Sequence, residues 1–168
     1  WSTGATTPVI NVSPVATTTY NVTVTSPSGC VTTGSVLVTV YPNPVLNITS
    51  SAAEICNGAS ASITVSSSIP GTTFLWSTGA TTANINVSPN TTTTYTVTGT
   101  SPNGCTGTAT IDIIVNPLPV VTVTTSDPEL CVGESATLTA TSDIPGSAYL
   151  WSTGATTPVI NVSPVATT

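Results

Sequence analysis

The sequence contains no lysine, no arginine and no histidine, and only six of its 168 residues are charged, all of them carboxylates. Methionine and glutamine are also missing, and phenylalanine occurs once. Each gap removes a class of function. Nucleic-acid binding draws its affinity from Lys and Arg on phosphates, so a chain with a formal charge of -6 has no means of holding that partner. Anionic membrane surfaces are excluded for the same reason. Imidazole bases, lysine Schiff bases, P-loop lysines and arginine clamps are all lacking, which leaves a Ser or Thr nucleophile with no base to activate it. Lysine-based isopeptide cross-links are chemically impossible. The longest apolar runs, such as Ile113-Ile114-Val115, fall far short of the roughly 18 residues that span a bilayer, so membrane insertion is not expected. No signal peptide is visible, and Trp1 reads as the middle of a longer sequence. The expectation is a protein that is not an enzyme and uses no cofactor and no metal.

What is present is a strand vocabulary. Sixty residues are Ser or Thr, and most of the apolar content is Val, Ile and Ala, residues that suit a pleated, half-buried surface better than a helix. An all-β fold follows. Trp1, Trp76 and Trp151 each open the string Trp-Ser-Thr-Gly-Ala-Thr-Thr, which fixes a period of 75 residues, and residues 1–75 and 76–150 share 41 identities. Residues 151–168 then repeat residues 1–18 without a change. The unit of duplication therefore reads as a pair of modules 150 residues long, in an array of which this chain is a short window.

One complete module lies between Pro42-Asn43-Pro44 and Pro117-Leu118-Pro119, whose prolines restrict the backbone and suit short, stiff linkers. Inside it the apolar pattern has period two. Strands are expected at Val45–Thr49, Ala61–Val65, Phe74–Trp76, Ile85–Val87, Thr94–Thr100 and Thr108–Val115. Asn57-Gly58, Pro70-Gly71, Thr78-Gly79-Ala80, Pro89-Asn90 and Pro102-Asn103-Gly104 supply the turns between them. Strands this short at such regular spacing indicate a β-sandwich.

The run Cys131-Val132-Gly133-Glu134-Ser135-Ala136-Thr137-Leu138, followed by Tyr149-Leu150-Trp151, and in matching register Thr17-Thr18-Thr19-Tyr20-Asn21-Val22, resembles an immunoglobulin-like module. It is similar in particular to the Ig-like and PKD-like tandem repeats of giant Bacteroidetes cell-surface proteins, including gliding-motility adhesins and type IX-secreted proteins. The resemblance covers the whole chain. It implies tandem Ig-like sandwiches in a linear rod: residues 1–41 the later part of one module, 42–116 a complete module, and 117–168 the first part of the next. It further implies a bacterial, extracellular, cell-surface filament or adhesin.

The cysteines are Cys30, Cys56, Cys105 and Cys131, two per module, one ahead of the Asn-Gly or Val-Gly turn and one in the Gly-Cys hairpin. In a chain that otherwise avoids reactive groups they suggest an oxidising compartment and disulfides. Counting favours Cys56 with Cys105. Ig-like topology argues against that pair, because the two turns then lie at opposite ends of a sandwich, a strand length of roughly 17–20 Å apart, while a disulfide tolerates at most about 7 Å between Cα atoms. In a linear array Cys56 would instead meet the next unit's counterpart of Cys30, and Cys105 the preceding unit's counterpart of Cys131. Pairs within a module, free thiols and inter-chain pairs remain open.

Sharper readings stand beside structural ones. Trp1, Trp76 and Trp151, with Phe74 and Tyr149 nearby, could stack on sugars, but an Ig-like strand places such a Trp in the core. Tyr20 and Tyr95 resemble a tyrosine corner whose hydroxyl ties down a neighbouring loop. Asp127, Glu129, Glu134 and Asp143 form the only acidic cluster, without the oxygen count that calcium prefers, and read as a solvated face. They cannot be a glycosidase-type pair built into every repeat, because Asp127 aligns with Ala52 and Asp143 with Ser68. Asn11, Asn21, Asn47, Asn86, Asn90 and Asn161 start sequons of the kind that arise by chance in a Thr-rich chain.

Three functions survive. The first is a structural stalk of tandem modules, whose partners are neighbouring copies of the same repeat. The second makes the modules themselves adhesive towards a glycan or another cell-surface ligand. The third is head-to-tail assembly, since residues 117–150 and 1–41 together amount to one 75-residue period; the redundant residues 151–168 count against it.

Overall fold

Alternation of Thr with Val, Ile and Ala has the periodicity of a pleated strand, and strands account for all the regular secondary structure in the computed structural model, which describes residues 1–164. The fold is all-β. The chain divides into two units, Trp1–Val115 and a second that begins at Asn116.

In the first unit, β1 (Thr18–Thr25) and β2 (Val31–Val38) form an antiparallel hairpin that sets Tyr20 opposite Val36 and Val22 opposite Gly34. Seven strands follow: β3 (Leu46–Ser50), β4 (Glu54–Cys56), β5 (Ala61–Ser67), β6 (Thr73–Trp76), β7 (Asn84–Val87), β8 (Thr93–Thr100) and β9 (Thr106–Asn116). They make two sheets, ordered β3-β5-β7 and β4-β9-β8-β6. Six of the seven fall within two residues of the strands expected from alternation. The exception is β4, three residues with one apolar side chain, Ile55, which no periodicity could reveal. It exists because the chain crosses from the edge of one sheet to the edge of the other, where the Ile114 amide donates to the Ala53 carbonyl at 2.9 Å.

The two sheets share one core. Ile63 and Val65 from β5 and Ile85 and Val87 from β7 face Trp76, Tyr95, Val97 and Ile113 of the other sheet, with Ile63, Val97 and Ile113 wholly shielded from water. Burying an aliphatic side chain of this size contributes about 1.5–3 kcal/mol, so these three positions matter most. The sheets approach closely at Gly99, where an added Cβ would sit 2.7 Å from a Leu46 methyl. Residues 46–116 thus form a β-sandwich.

The second unit contains β10 (Val121–Thr125), β11 (Ala136–Ser142) and β12 (Val159–Val162), paired antiparallel in the order β10-β11-β12. Its sequence matches β3, β5 and β7, and its register sets Val123 opposite Ala140 and Leu138 opposite Ile160. Val121 and Val123 remain 55% and 56% exposed, whereas their counterparts Leu46 and Ile48 pack on the core of the complete sandwich.

Candidate functional site

The features that recur in every repeat are two kinds of turn, one carrying Trp and one carrying Cys. The Trp turn is fixed locally. In the complete module the Gly79 amide returns to the Trp76 carbonyl at 2.9 Å, the Trp76 amide donates to Ala80, and the Trp76 indole Nε1 donates to the Thr82 carbonyl at 2.9 Å. Gly79 holds φ at 85°, a left-handed conformation that costs glycine little. The indole bond recurs from Trp1 to Thr7 and from Trp151 to Thr157, each at 2.8 Å. With its one donor satisfied and only 2% of its surface exposed, Trp76 fills the core. Its faces are covered by the sandwich, as the core reading expects, and none is open to a sugar. Trp1 and Trp151 are half-buried.

Tyr95 is buried beside Val97, and Tyr20 is half-buried at the matching position. Among the described residues neither hydroxyl makes a hydrogen bond, so the loop tie expected of a tyrosine corner is not formed there. Both rings act through packing.

The Cys turns are equally local. Cys105 closes the hairpin between β8 and β9: its amide donates to the Ser101 hydroxyl at 3.2 Å, and its carbonyl accepts from the Ser101 amide at 2.8 Å. Cys30 repeats both bonds with Ser26. At the other position, the Cys56 carbonyl accepts from the Ala59 amide, and the Cys131 carbonyl from the Glu134 amide. The Glu134 carboxylate accepts in addition from the Cys131 amide at 2.8 Å. In each case the backbone is tied down by the turn. Cys30, Cys56 and Cys131 are exposed and Cys105 is half-buried, its thiol 3.7 Å from the Tyr41 carbonyl.

All four thiols are free within the described residues. The geometry explains why Cys56 and Cys105 do not pair. Cys105 directly precedes β9, whereas Ala53, just before β4, is bonded to Ile114 near the far end of that strand, about 30 Å along it at about 3.3 Å per residue; Cys56 is only three residues from Ala53, so the two cysteines stand at least about 20 Å apart. No disulfide bridges that distance.

Of the acidic cluster, Asp127, Glu134 and Asp143 accept backbone amides, the first two within their own turns and Asp143 from across the β10–β11 pair. Asp127 receives the Glu129 amide at 3.1 Å, and Asp143 receives the Val120 amide at 2.8 Å. In the complete module Ser68 does the work of Asp143, accepting from the Val45 amide at 3.0 Å. A carboxylate and a hydroxyl are thus interchangeable there, as expected of a capping group and not of a metal ligand. Among the described residues no three His, Cys, Asp or Glu side chains are grouped to hold a metal ion. Sequence reasoning missed these bonds because an Asp two residues from a turn amide looks the same in a string as one facing solvent.

No protein-family model matches the chain. No curated protein matches it.

Proposed function

We propose that this chain is part of the stalk of an extracellular surface fibre or giant repeat adhesin, built from tandem Ig-like modules of the kind its sequence resembles. One observation carries the reading: the complete sandwich admits the chain at one end and releases it at the other. Pro44 is buried against the start of β9, so close that a Cβ on Gly107 would meet the Pro44 carbonyl oxygen. Val115 leaves β9 at the opposite end, its amide donating to the Thr92 hydroxyl at 3.1 Å. A module with termini at opposite poles can be strung into a row without crossing connections, and pull along the row runs lengthwise through β9. A cysteine sits near each pole, the half-buried Cys105 at the incoming end and the exposed Cys56 at the outgoing end. In an oxidising space outside a cell, cysteines near the two poles would suit staples between successive modules.

Reducing, denaturing electrophoresis of the native fibre tests the proposal. A covalent stalk runs at very high mass, and a band near the mass of this chain alone would reject it. Stretching single fibres under reducing conditions adds an independent check: each unfolding 75-residue module should release roughly 250 Å of contour, at about 3.3–3.6 Å per residue.

A further inference from the structure

We infer that Asn57 is a site of spontaneous chemical modification: its side chain closes on the Gly58 amide to form a succinimide, while the same dipeptide at Asn103-Gly104 is held back by its hairpin. The inference stands on the complete module alone and does not depend on the stalk.

The residue after each asparagine narrows the reaction to two places. The nucleophile is the amide nitrogen that follows the asparagine, so it must carry a proton to lose and stand clear of side-chain bulk. Eleven asparagines occur in the chain. Asn43 and Asn116 precede proline, whose nitrogen has no proton. Seven others precede Val, Ile or Thr, whose branched Cβ crowds the attacking nitrogen. Only Asn57 and Asn103 precede glycine, which has no Cβ.

Local hydrogen bonding separates these two. The turn at Asn57 is closed by the Ala59 amide on the Cys56 carbonyl at 2.9 Å, a bond that leaves out Gly58. Among the described residues the Gly58 amide donates to no acceptor, and the Asn57 side chain is equally unengaged. Both residues are exposed, so water can take the proton. At Asn103 the nucleophile is already occupied, because the Gly104 amide donates to the Ser101 carbonyl at 2.9 Å. Around it the Ser101 amide donates to the Cys105 carbonyl at 2.8 Å, the Cys105 amide to the Ser101 hydroxyl at 3.2 Å, and Pro102 stiffens the corner. The other copy of this hairpin repeats the pattern, with the Gly29 amide on the Ser26 carbonyl at 2.9 Å. The bond thus belongs to the hairpin, and cyclisation at Asn103 has to break it. One net hydrogen bond corresponds to a rate difference of several-fold to about tenfold.

The step needs no reagent but water. The Gly58 nitrogen loses its proton and bonds to the Asn57 Cγ, the Cγ–Nδ2 bond breaks, and the side-chain nitrogen leaves with a proton as ammonia. Water then opens the ring at either carbonyl. Attack at the main-chain carbonyl leaves isoaspartate, with one extra carbon in the backbone of the turn, and attack at the other leaves aspartate. Either product sets a carboxylate next to Cys56. In a tandem array that charge would arise in one module of each pair, since the counterpart turn reads Val132-Gly133 and the counterpart hairpin Ser28-Gly29.

Incubating the purified, reduced 168-residue chain in heavy-oxygen water at mildly alkaline pH, followed by mass spectrometry of a chymotryptic digest, tests the inference. Labelled oxygen should enter at position 57 several-fold to about tenfold faster than at position 103 in the native chain, and at nearly equal rates once guanidinium chloride unfolds it. The two contexts can also be exchanged. Val132→Asn places an asparagine before the Gly133 amide, which has no acceptor among the described residues, and should react like position 57. Ser28→Asn places one before the bonded Gly29 amide and should react slowly, like position 103. Position 103 matching or outpacing position 57 in the native chain overturns the inference, as does Ser28→Asn reacting as fast as Val132→Asn. A preference for position 57 that persists undiminished in the unfolded chain also overturns it, because flanking sequence and not the fold would then set the rates.

Discussion

Replacing Gly99 by Val in the complete module should destabilise it, and shrinking Leu46 and Thr72 in the same molecule should restore it. The Cβ alone meets a Leu46 methyl at 2.7 Å, the Thr72 methyl at 3.0 Å and the second Leu46 methyl at 3.2 Å, all inside the ~3.5–4.0 Å of a comfortable carbon contact. Forcing such an overlap costs about 1–3 kcal/mol. Part of that is offset by the strand preference of Val over Gly, worth up to about 1 kcal/mol. Leu46→Val removes one methylene, about 0.8 kcal/mol when fully buried and less at this half-buried site. Thr72→Ser removes only a methyl: its hydroxyl bonds to the Ile69 carbonyl and the Ser67 hydroxyl are the bonds Ser147 already makes to Ile144 and Ser142. If the positions were independent, the triple variant would be the least stable of the set. Size compensation instead predicts that it lies within about 1 kcal/mol of the parent, with a coupling energy of roughly 1.5–2.5 kcal/mol. The β-preference term cancels in the cycle, so the coupling reports the overlap alone. Urea denaturation of the full chain, followed by circular dichroism and tryptophan fluorescence, gives the energies by linear extrapolation. A coupling below about 0.5 kcal/mol, the usual scatter of additivity, would refute the packing argument.

Trp76→Ala should cost about 3–5 kcal/mol in the same assay, and Trp1→Ala or Trp151→Ala distinctly less, because only Trp76 is enclosed; equal losses at the three positions would contradict the burial. Maleimide labelling of the reduced native chain should modify Cys30, Cys56 and Cys131 faster than the half-buried Cys105, and peptide mapping after mild oxidation should never find Cys56 joined to Cys105. Asp143→Ser should leave the second unit's stability unchanged and Asp143→Ala should cost about 1 kcal/mol, since Ser68 makes the same bond in the complete module. Calcium or a chelator should shift no melting transition, as each carboxylate of Asp127, Glu134 and Asp143 already accepts a backbone amide, the first two within their own turns and Asp143 from Val120.

Residues 1–14 and 151–164 are identical, which separates what sequence fixes from what surroundings fix. In both copies Gly returns its amide to Trp, the indole reaches the carbonyl six residues on, and the Thr7 or Thr157 hydroxyl bonds two residues ahead. These bonds close within a few residues, so the string alone determines them. The same holds for the Cys hairpins and the strand alternation. Yet Val159–Val162 is a strand, while Val9–Val12, the same four residues, is not. A strand's amides and carbonyls need partners from another segment; β11 supplies them to one copy and nothing in the first unit supplies them to the other. Tertiary structure likewise decided that Trp76 is sealed while Trp1 is half open, and that Cys56 and Cys105 stand at opposite poles. It also decided that Glu54–Cys56, unreadable as a strand, edges the larger sheet. Short-range hydrogen bonds are written in the sequence one turn at a time, whereas burial and pairing depend on which other segment is near.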